Sequence, residues 1–574
     1  MELNIMKEAT LQAILAESRQ TTQETARIAK AQQARVDAMY QAKVQGAASA
    51  AEVDALFARW WRSQWIDGIS SRVGMLERWF GGVLDDQRVH GVKLPLFATS
   101  SSPNGELTDD SVGLICEPST ENEAGRDDFA RLPQFWCVEV SAEKLADGSH
   151  EIYAVEHIDP IEQVRSGEHL CWVLQKNTYT KEWTDDQYHY MQMQCHAAPG
   201  FAQWPQGTDR TGRTYSYIGN PKYAAGEGSG GMVTCGTGLR PVQWTSHSTG
   251  VAKWRQRAAH YSGASGCLIK WQLAMIWLKY GKKGNSGIID GCVYHWWQCR
   301  AAQSESGVER IILSPSDAKN VQVGVTISVG SMADGQADRA YADTRDLADR
   351  AEVLSIEDVS INGAPYKAVN IDNEGKTFDV TAGMTIVSSM PYRSGYNDTV
   401  RGYDGSRTVP AGGKEPGLIQ KTEFQNGAYM IISDELWQWS QPGGEGGDFR
   451  FDCYTCHDQT KVSPSTITED YAKQEDLTLA FPPEQKAEWL YIEDIAIGKD
   501  RGVLWPKTAS AAAGSGTGVG DAIYVSPVSN GLRAAWVFCS MSFGGVAGLA
   551  ARYSNSGTSP SSWAGCLGAP GLSG

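Results

Sequence analysis

From Glu8 to Ala51 the chain has no proline and no glycine before Gly46, and it is rich in Ala, Gln, Glu, Arg and Lys. This is the composition of a long exposed helix: such side chains lose little freedom in a helix, and nothing interrupts the hydrogen-bond ladder. Leu11, Ile14, Ser18, Thr21, Thr25, Ile28, Gln32, Arg35 and Met39 fall at alternating three- and four-residue spacing, a seam that is apolar at its ends and polar in the middle. The spacing fits a coiled coil, and it fits equally a helix lying on a neighbouring subunit. In the helical stretch that follows, Val53, Leu56, Phe57, Trp60 and Trp61 make one apolar stripe, which predicts core or a docking face rather than a cofactor box.

Around Gly81 the pattern changes to short β-like runs such as "FWCVEVSAEKL", "HEIYAVEHI" and "HLCWVLQKNTYT", separated by turn residues. This region runs to about Thr245 and closes with the glycine-rich "AAGEGSGGMVTCGTG". Helical character then returns. Within it "CLIKWQLAMIWLKYG" is too short for a bilayer and is interrupted by Lys270, Gln272 and Lys279, so it predicts a buried or half-buried helix. Ala534 to Ala550 is uncharged, but its glycines and hydroxyls make it too weakly apolar to span, and no membrane insertion is expected. From Glu309 to Val387, β-like runs recur at intervals typical of a small sandwich or barrel, as expected for a module inserted in a larger domain. Beyond Ser389 the chain is rich in Gly, Trp and Tyr, the pattern of a loop-dominated β domain. The expected fold class is therefore α+β and multidomain: helices over 1–82, a β-rich domain over 83–245, and a C-terminal domain over 246–574 with a β module inserted at about 300–388.

The formal net charge is −16 and the pI about 5.2, which argues against a phosphate-binding surface and so against nucleic acid as a partner. "MELNIMKEATLQ" has no basic stretch followed by an apolar core, so the chain is expected to fold in a cytoplasm. Its twelve cysteines are sparse and predict reduced, mostly buried thiols.

Three strings could carry chemistry. "CYTCH" (Cys453, Cys456, His457) has the spacing of a c-type haem attachment site, which needs export, and one such string also arises by chance in a long chain. "CVYHWWQC" offers Cys292, His295 and Cys299 as zinc ligands, but at a spacing that matches no compact knuckle, and structural thiols beside Trp296 and Trp297 are the plainer reading. "GTGVGD" (Gly516 to Asp521) lacks the strand-then-helix setting of a phosphate loop and reads as a surface turn. No G-x-S-x-G, H-E-x-x-H or P-loop string is present. No metal, no cofactor and no catalytic residue is expected.

The closing segment, Gly531 to Gly574, has no Lys, Asp, Glu, Gln or His. In a chain that is 21% charged, about nine charged residues would be expected there, yet only Arg533 and Arg552 occur. Tyr, Ser, Gly and Asn are also the residues of antibody paratopes, where rings give contact area at low entropic cost and small polar groups adapt their hydrogen bonds. A glycine-rich terminal core segment would have a similar composition.

Three pieces in order, "AMIWLKYGKKGNS", "MPYRSGYNDTVRGYDGSRTVPAGGKEPGLIQKTEF" and "GLRAAWVFCSMSFGGVAGLAARYSNSGTSPSSWAG", resemble the variable proteins of diversity-generating retroelements, in particular tail receptor-binding proteins of bacteriophages. The resemblance spans about residues 250–574. It implies a C-terminal C-type lectin-like domain related to formylglycine-generating enzymes, with a variable region at about 531–566. It further implies that AAY codons are randomised to NNY, which cannot encode Lys, Glu, Gln, Met or Trp. On that reading Gly531, Leu532, Arg533, Trp536, Ser540, Met541, Gly544, Gly548, Gly557 and Trp563 are constant scaffold. The receptor contacts are then Phe538, Cys539, Ser542, Phe543, Val546, Arg552, Tyr553, Asn555, Ser556, Ser559, Ser561, Ser562 and Ala564. Thiols at Cys539 and Cys566 sit awkwardly on an exposed variable surface.

The resemblance implies a non-enzymatic protein of the virion tail, made in the host cytoplasm, that attaches the phage to a protein or glycan receptor on the bacterial surface. It implies contacts to other tail proteins through the N-terminal helices and, by analogy, a homotrimer. A structural tail or baseplate component and an enzyme, either an oxidase on the same fold or a tail polysaccharide depolymerase, are the rival readings.

Overall fold

The computed structural model describes residues 2–66, 69–98, 103–291, 298–332, 343–411, 414–514, 516–538, 547–555, 557 and 566–572. The chain opens with a helix over Glu2–Gln45, followed by Ala50–Gln64 and Arg72–Arg78. Ser49 caps the second of these by accepting from the Glu52 amide, and Ser71 caps the third by accepting from Gly74. The stripe read from the sequence is core: Val53, Leu56, Phe57, Trp60 and Trp61 are all buried, and Phe57 meets Trp79 and Trp136 with ring centroids 5.0 and 5.3 Å apart.

The β-rich remainder is built from several sheets. His90–Pro95 is the second strand of a five-stranded sheet, pairing with Glu106–Asp109 on one side and Tyr188–Gln194 on the other. Cys137–Lys144, His150–Val155, Leu170–Lys176 and Tyr217–Pro221 make a four-stranded sheet. A six-stranded sheet with its own core occupies 299–390, the range expected for the inserted module. The largest sheet has nine strands and centres on Met430–Ser440 and Asn530–Val537; its edge strands Ala472–Phe481 and Pro506–Ser510 approach each other, so it is nearly closed.

The cores do not follow the boundaries expected at 82 and 245. One core joins the N-terminal helices and the four-stranded sheet to Leu567, Ala569 and Leu572. Another runs from Val92 and Met191 to Trp437, Ile523 and Val537. Through the centre passes the helix Cys267–Tyr280, buried along every residue from Cys267 to Lys279 and ended by Gly281 in the left-handed conformation at φ 62°. Its polar side chains are matched: Lys270 to Glu182 at 2.8 Å, Gln272 to the Thr422 hydroxyl at 2.9 Å, and Lys279 to Asp127 and Asp404 at 2.8 and 2.7 Å. Burial alone would raise the Glu182 carboxyl, but Lys270 and His189 outweigh it and hold the group down at about 2. Among the described residues no helix is long and apolar enough to cross a membrane.

Candidate functional site

Strand alternation in the nine-stranded sheet separates two faces. Leu490, Ile492, Ile523, Ala535 and Val537 point into the core. On the opposite face, Ile431, Trp536, Tyr553, Tyr524 and Trp489 stand directly opposite one another on five successive strands, as the registers Ile431–Trp536, Trp536–Tyr553, Tyr553–Tyr524 and Tyr524–Trp489 show. Ring centroids are 6.3 Å apart for Trp536 and Tyr553, 5.1 Å for Tyr553 and Tyr524, and 5.2 Å for Tyr524 and Trp489. Tyr429 joins the row 5.1 Å from Trp536 and 5.0 Å from Tyr553. Trp489 and Tyr524 are half-buried, so this end of the row reaches the surface. Neither lies in the segment expected to vary, although the alternation in "EWLYIEDI" and "AIYV" places both on one face of their strands.

This face includes Trp536 and Tyr553 of the segment expected to vary, and the described backbone of that segment is held at several points by elements outside it. Phe538 adopts φ 68° and its carbonyl accepts from the Gly427 amide at 2.7 Å. The Leu549 amide donates to Asn285 Oδ1 at 3.2 Å and the Ala550 amide to Asp521 Oδ2 at 2.8 Å. Gly548 lies so close to that aspartate that a Cβ would collide with its carboxylate. Ser554 is fully buried: its carbonyl accepts from Arg533 Nε at 2.9 Å and Trp439 Nε1 at 3.3 Å, while its hydroxyl donates to the Tyr524 carbonyl at 2.6 Å. Farther on, the Cys566 amide donates to the Tyr429 carbonyl at 2.6 Å and the Leu567 amide to Val242 at 2.9 Å.

The expected contact residues divide accordingly. Asn555 is exposed. Phe538, Arg552 and Tyr553 are corrections: they are 3%, 2% and 8% exposed, because Phe538 turns into the core and Arg552–Tyr553 is a short strand inside the sheet. Period-two alternation sends the Arg552 side chain to the core face and the Tyr553 ring to the aromatic row. Cys539, Ser542, Phe543, Val546, Ser556, Ser559, Ser561, Ser562 and Ala564 lie outside the described residues. Cys566 is buried, and burial pushes its thiol up to about 12.

The strings that could carry other chemistry do not converge. Cys453 faces the core of the large sheet, whereas Cys456 faces a separate cluster with Val251, Leu436 and Tyr471. His457 points Nε2 at Asp500 (2.5 Å) and Nδ1 at Asp434 (3.8 Å); burial opposes its charge, but the two carboxylates outweigh burial and keep the imidazolium well above its ordinary range. Cys299 is buried with its thiol pushed up to about 12, and Cys292 and His295 lie outside the described residues. Gly516 to Asp521 leads into the strand Ala522–Val525, not into a helix. Among the described residues Cys116, Asp127 and Asp404 have ligand-type atoms within 4.8 Å of one another, but the Lys279 ammonium already bonds both carboxylates.

Comparison of the sequence with models of known protein families gives no match, and comparison with curated proteins gives none either.

Proposed function

We propose that this chain is a bacteriophage tail receptor-binding protein of the diversity-generating-retroelement type. Its nine-stranded sheet belongs to a C-type lectin-like domain interrupted by the module at 299–390, and its N-terminal helices point toward the rest of the tail. The protein binds a protein or glycan on the bacterial surface without catalysis. One observation carries the reading: within the segment whose composition fits randomised codons, the backbone is held by groups outside it, Phe538 by Gly427, Leu549 by Asn285, Ala550 by Asp521, Ser554 by Trp439 and Cys566 by Tyr429. A fold that must accept many side chains at one surface needs its loop ends fixed independently of those side chains.

The test is to replace residues 538–566 with those of a sister variant and to measure adsorption of the protein to the host strains of each. Adsorption that follows the transplanted segment supports the reading. Adsorption unchanged by the exchange overturns it and leaves a structural tail component.

A further inference from the structure

At the C-terminal end of the buried helix Cys267–Tyr280, one ammonium faces two carboxylates. Lys279 Nζ lies 2.8 Å from Asp127 Oδ2 and 2.7 Å from Asp404 Oδ2, and it donates to Gln420 Oε1 at 3.0 Å. The Lys279 and Asp404 side chains are 0% and 1% exposed, and that of Asp127 13%. Other buried lysines are matched differently. Lys222 meets Glu139 at 3.0 Å and Asp398 at 3.4 Å, but Arg165 also bonds both Glu139 oxygens, so two cations face two acids. Lys270 meets Glu182 at 2.8 Å, and the second neighbour of that carboxylate is His189 at 3.2 Å. At Lys279 a carboxylate is in surplus, and ions taken out of water are costly unless fully compensated.

The two carboxylates are held in different ways. Asp404 Oδ1 accepts from the Gln420 amide at 2.7 Å, and Oδ2 accepts from the Tyr280 hydroxyl at 3.0 Å as well as from Lys279, which fixes the group as an anion. Asp127 turns Oδ2 to Lys279, while its Oδ1 accepts from the backbone amides of Phe129 and Ala130 at 3.0 and 3.1 Å. Two backbone amides on one oxygen would stabilise the charge that develops there when a nucleophile adds to the carboxyl carbon. The nucleophile is already in place, since Nζ is fixed against that carboxyl by a buried helix and by two further acceptors.

We propose that Lys279 and Asp127 condense into an intramolecular isopeptide bond, with Asp404 carrying a proton and with no cofactor. The proton between Nζ and Asp127 Oδ2 passes to Oδ2, which turns the freed amine lone pair toward the carboxyl. Nζ then adds to Cγ, and the Phe129 and Ala130 amides hold the oxyanion on Oδ1. Asp404, with an oxygen within 4.8 Å of one on Asp127, takes a second proton from Nζ and returns it to Oδ2, which leaves as water. An ammonium and a carboxylate become an amide and one water, Asp404 ends as it began, and the remaining N–H keeps Gln420 Oε1 as its acceptor. The two carboxylates hold the Lys279 ammonium well above the usual lysine range, so the neutral amine is rare and the bond forms slowly, after folding. The bond would close a loop spanning 152 residues and staple the segment around Asp127 to the central helix.

This stands on the geometry around Lys279 and is independent of receptor binding. The test weighs the full chain, unfolded and reduced, by mass spectrometry. The unaltered protein is expected to be lighter than its sequence by one water, and trypsin to release residues 127–131 joined to residues 271–282, uncut after Lys279. Fragmentation of the joined pair is expected to place the bond on Asp127. Asp404→Asn, with its fold checked by near-UV circular dichroism, and Lys279→Met are each expected to regain the water and to release the two peptides apart. Full sequence mass in the unaltered chain, with cleavage after Lys279, would show an ion pair only and overturn the proposal. A joined pair that persists in Asp404→Asn would overturn the step as written.

Discussion

The guanidinium of Arg552 lies over the indole of Trp437, 6.0 Å from the ring centroid, on the core side of the sheet whose other side carries Tyr553. It donates to the carbonyls of Leu504, Ala551 and Leu549 at 3.0, 3.1 and 3.4 Å. The side chain therefore ties the loop before Trp505 to the short strand between the two halves of the closing segment. Arg552→Ala is expected to cost about 3 kcal/mol of stability, because it leaves buried carbonyls without a charged donor. Arg552→Lys should recover roughly half of that, since an ammonium cannot reproduce the planar fork. Urea unfolding followed by tryptophan fluorescence measures both.

The aromatic row and the exposed position beside it should separate stability from binding. Trp536→Ala removes a fully buried ring and is expected to cost about 3–5 kcal/mol. Asn555→Ala, at an exposed position, should shift stability by less than about 0.5 kcal/mol and, if the proposed receptor-binding function holds, change adsorption to host cells. Thermal melts and cell-binding assays on the same preparations test the pair, and equal loss of stability in both would refute the assignment of Asn555 to the surface.

Glu435 gives a pH signature of defined sign. Burial, reinforced by Asp434, pushes its carboxyl up to about 7 against the opposing pull of Arg552 and the Trp437 indole. The folded protein therefore holds a proton that the unfolded chain releases near pH 4.5, and the stability tied to that proton is present at low pH and lost as pH rises through 7. Glu435→Gln mimics the protonated acid. Relative to the unaltered protein it should be near neutral at pH 5 and gain on the order of 3 kcal/mol by pH 8.5. A difference between the two melting curves that does not depend on pH would contradict this.

His457 should show a partner effect of its own. Its imidazolium is held by Asp500 and Asp434, so the stability it contributes is complete below its unfolded value of about 6.5 and fades as pH rises through the higher folded value. His457→Gln is expected to destabilise the protein at pH 6, by an amount reduced by solvent screening of the partly exposed ring, with a smaller deficit at high pH; melts at the two pH values measure it.

The thiols of "CYTCH" point into different clusters and burial raises both, Cys456 to about 12. Neither should react with a thiol reagent until the protein unfolds. Rapid labelling of Cys453 or Cys456 in the native protein, found by mass spectrometry, would reopen a metal or redox role.

Local pattern carried much of this fold. The proline-free stretch at the start, the Val53 to Trp61 stripe, the buried helix around Lys270 and the module near 300–388 are each written in the period and composition of contiguous residues. The shared cores were not legible, because nothing local states that Leu572 will pack with the four-stranded sheet or Val92 with Trp437. The misplacement of Arg552 and Tyr553 has a related cause. Composition does not say which face a residue takes; that is set by strand register, and a two-residue strand between longer partners leaves no periodicity to read.

The last described residues stitch the closing segment back onto the first half of the chain: Leu572 donates to Gly219 at 2.8 Å, Trp172 to the Pro570 carbonyl at 3.1 Å, and Trp254 to Gly568 at 3.0 Å. During synthesis, therefore, the core begun near residue 44 stays open until residues 566–572 have left the ribosome, a long wait for contacts of such high sequence separation. A chain that stops or shifts frame within the closing segment would keep that apolar surface uncovered.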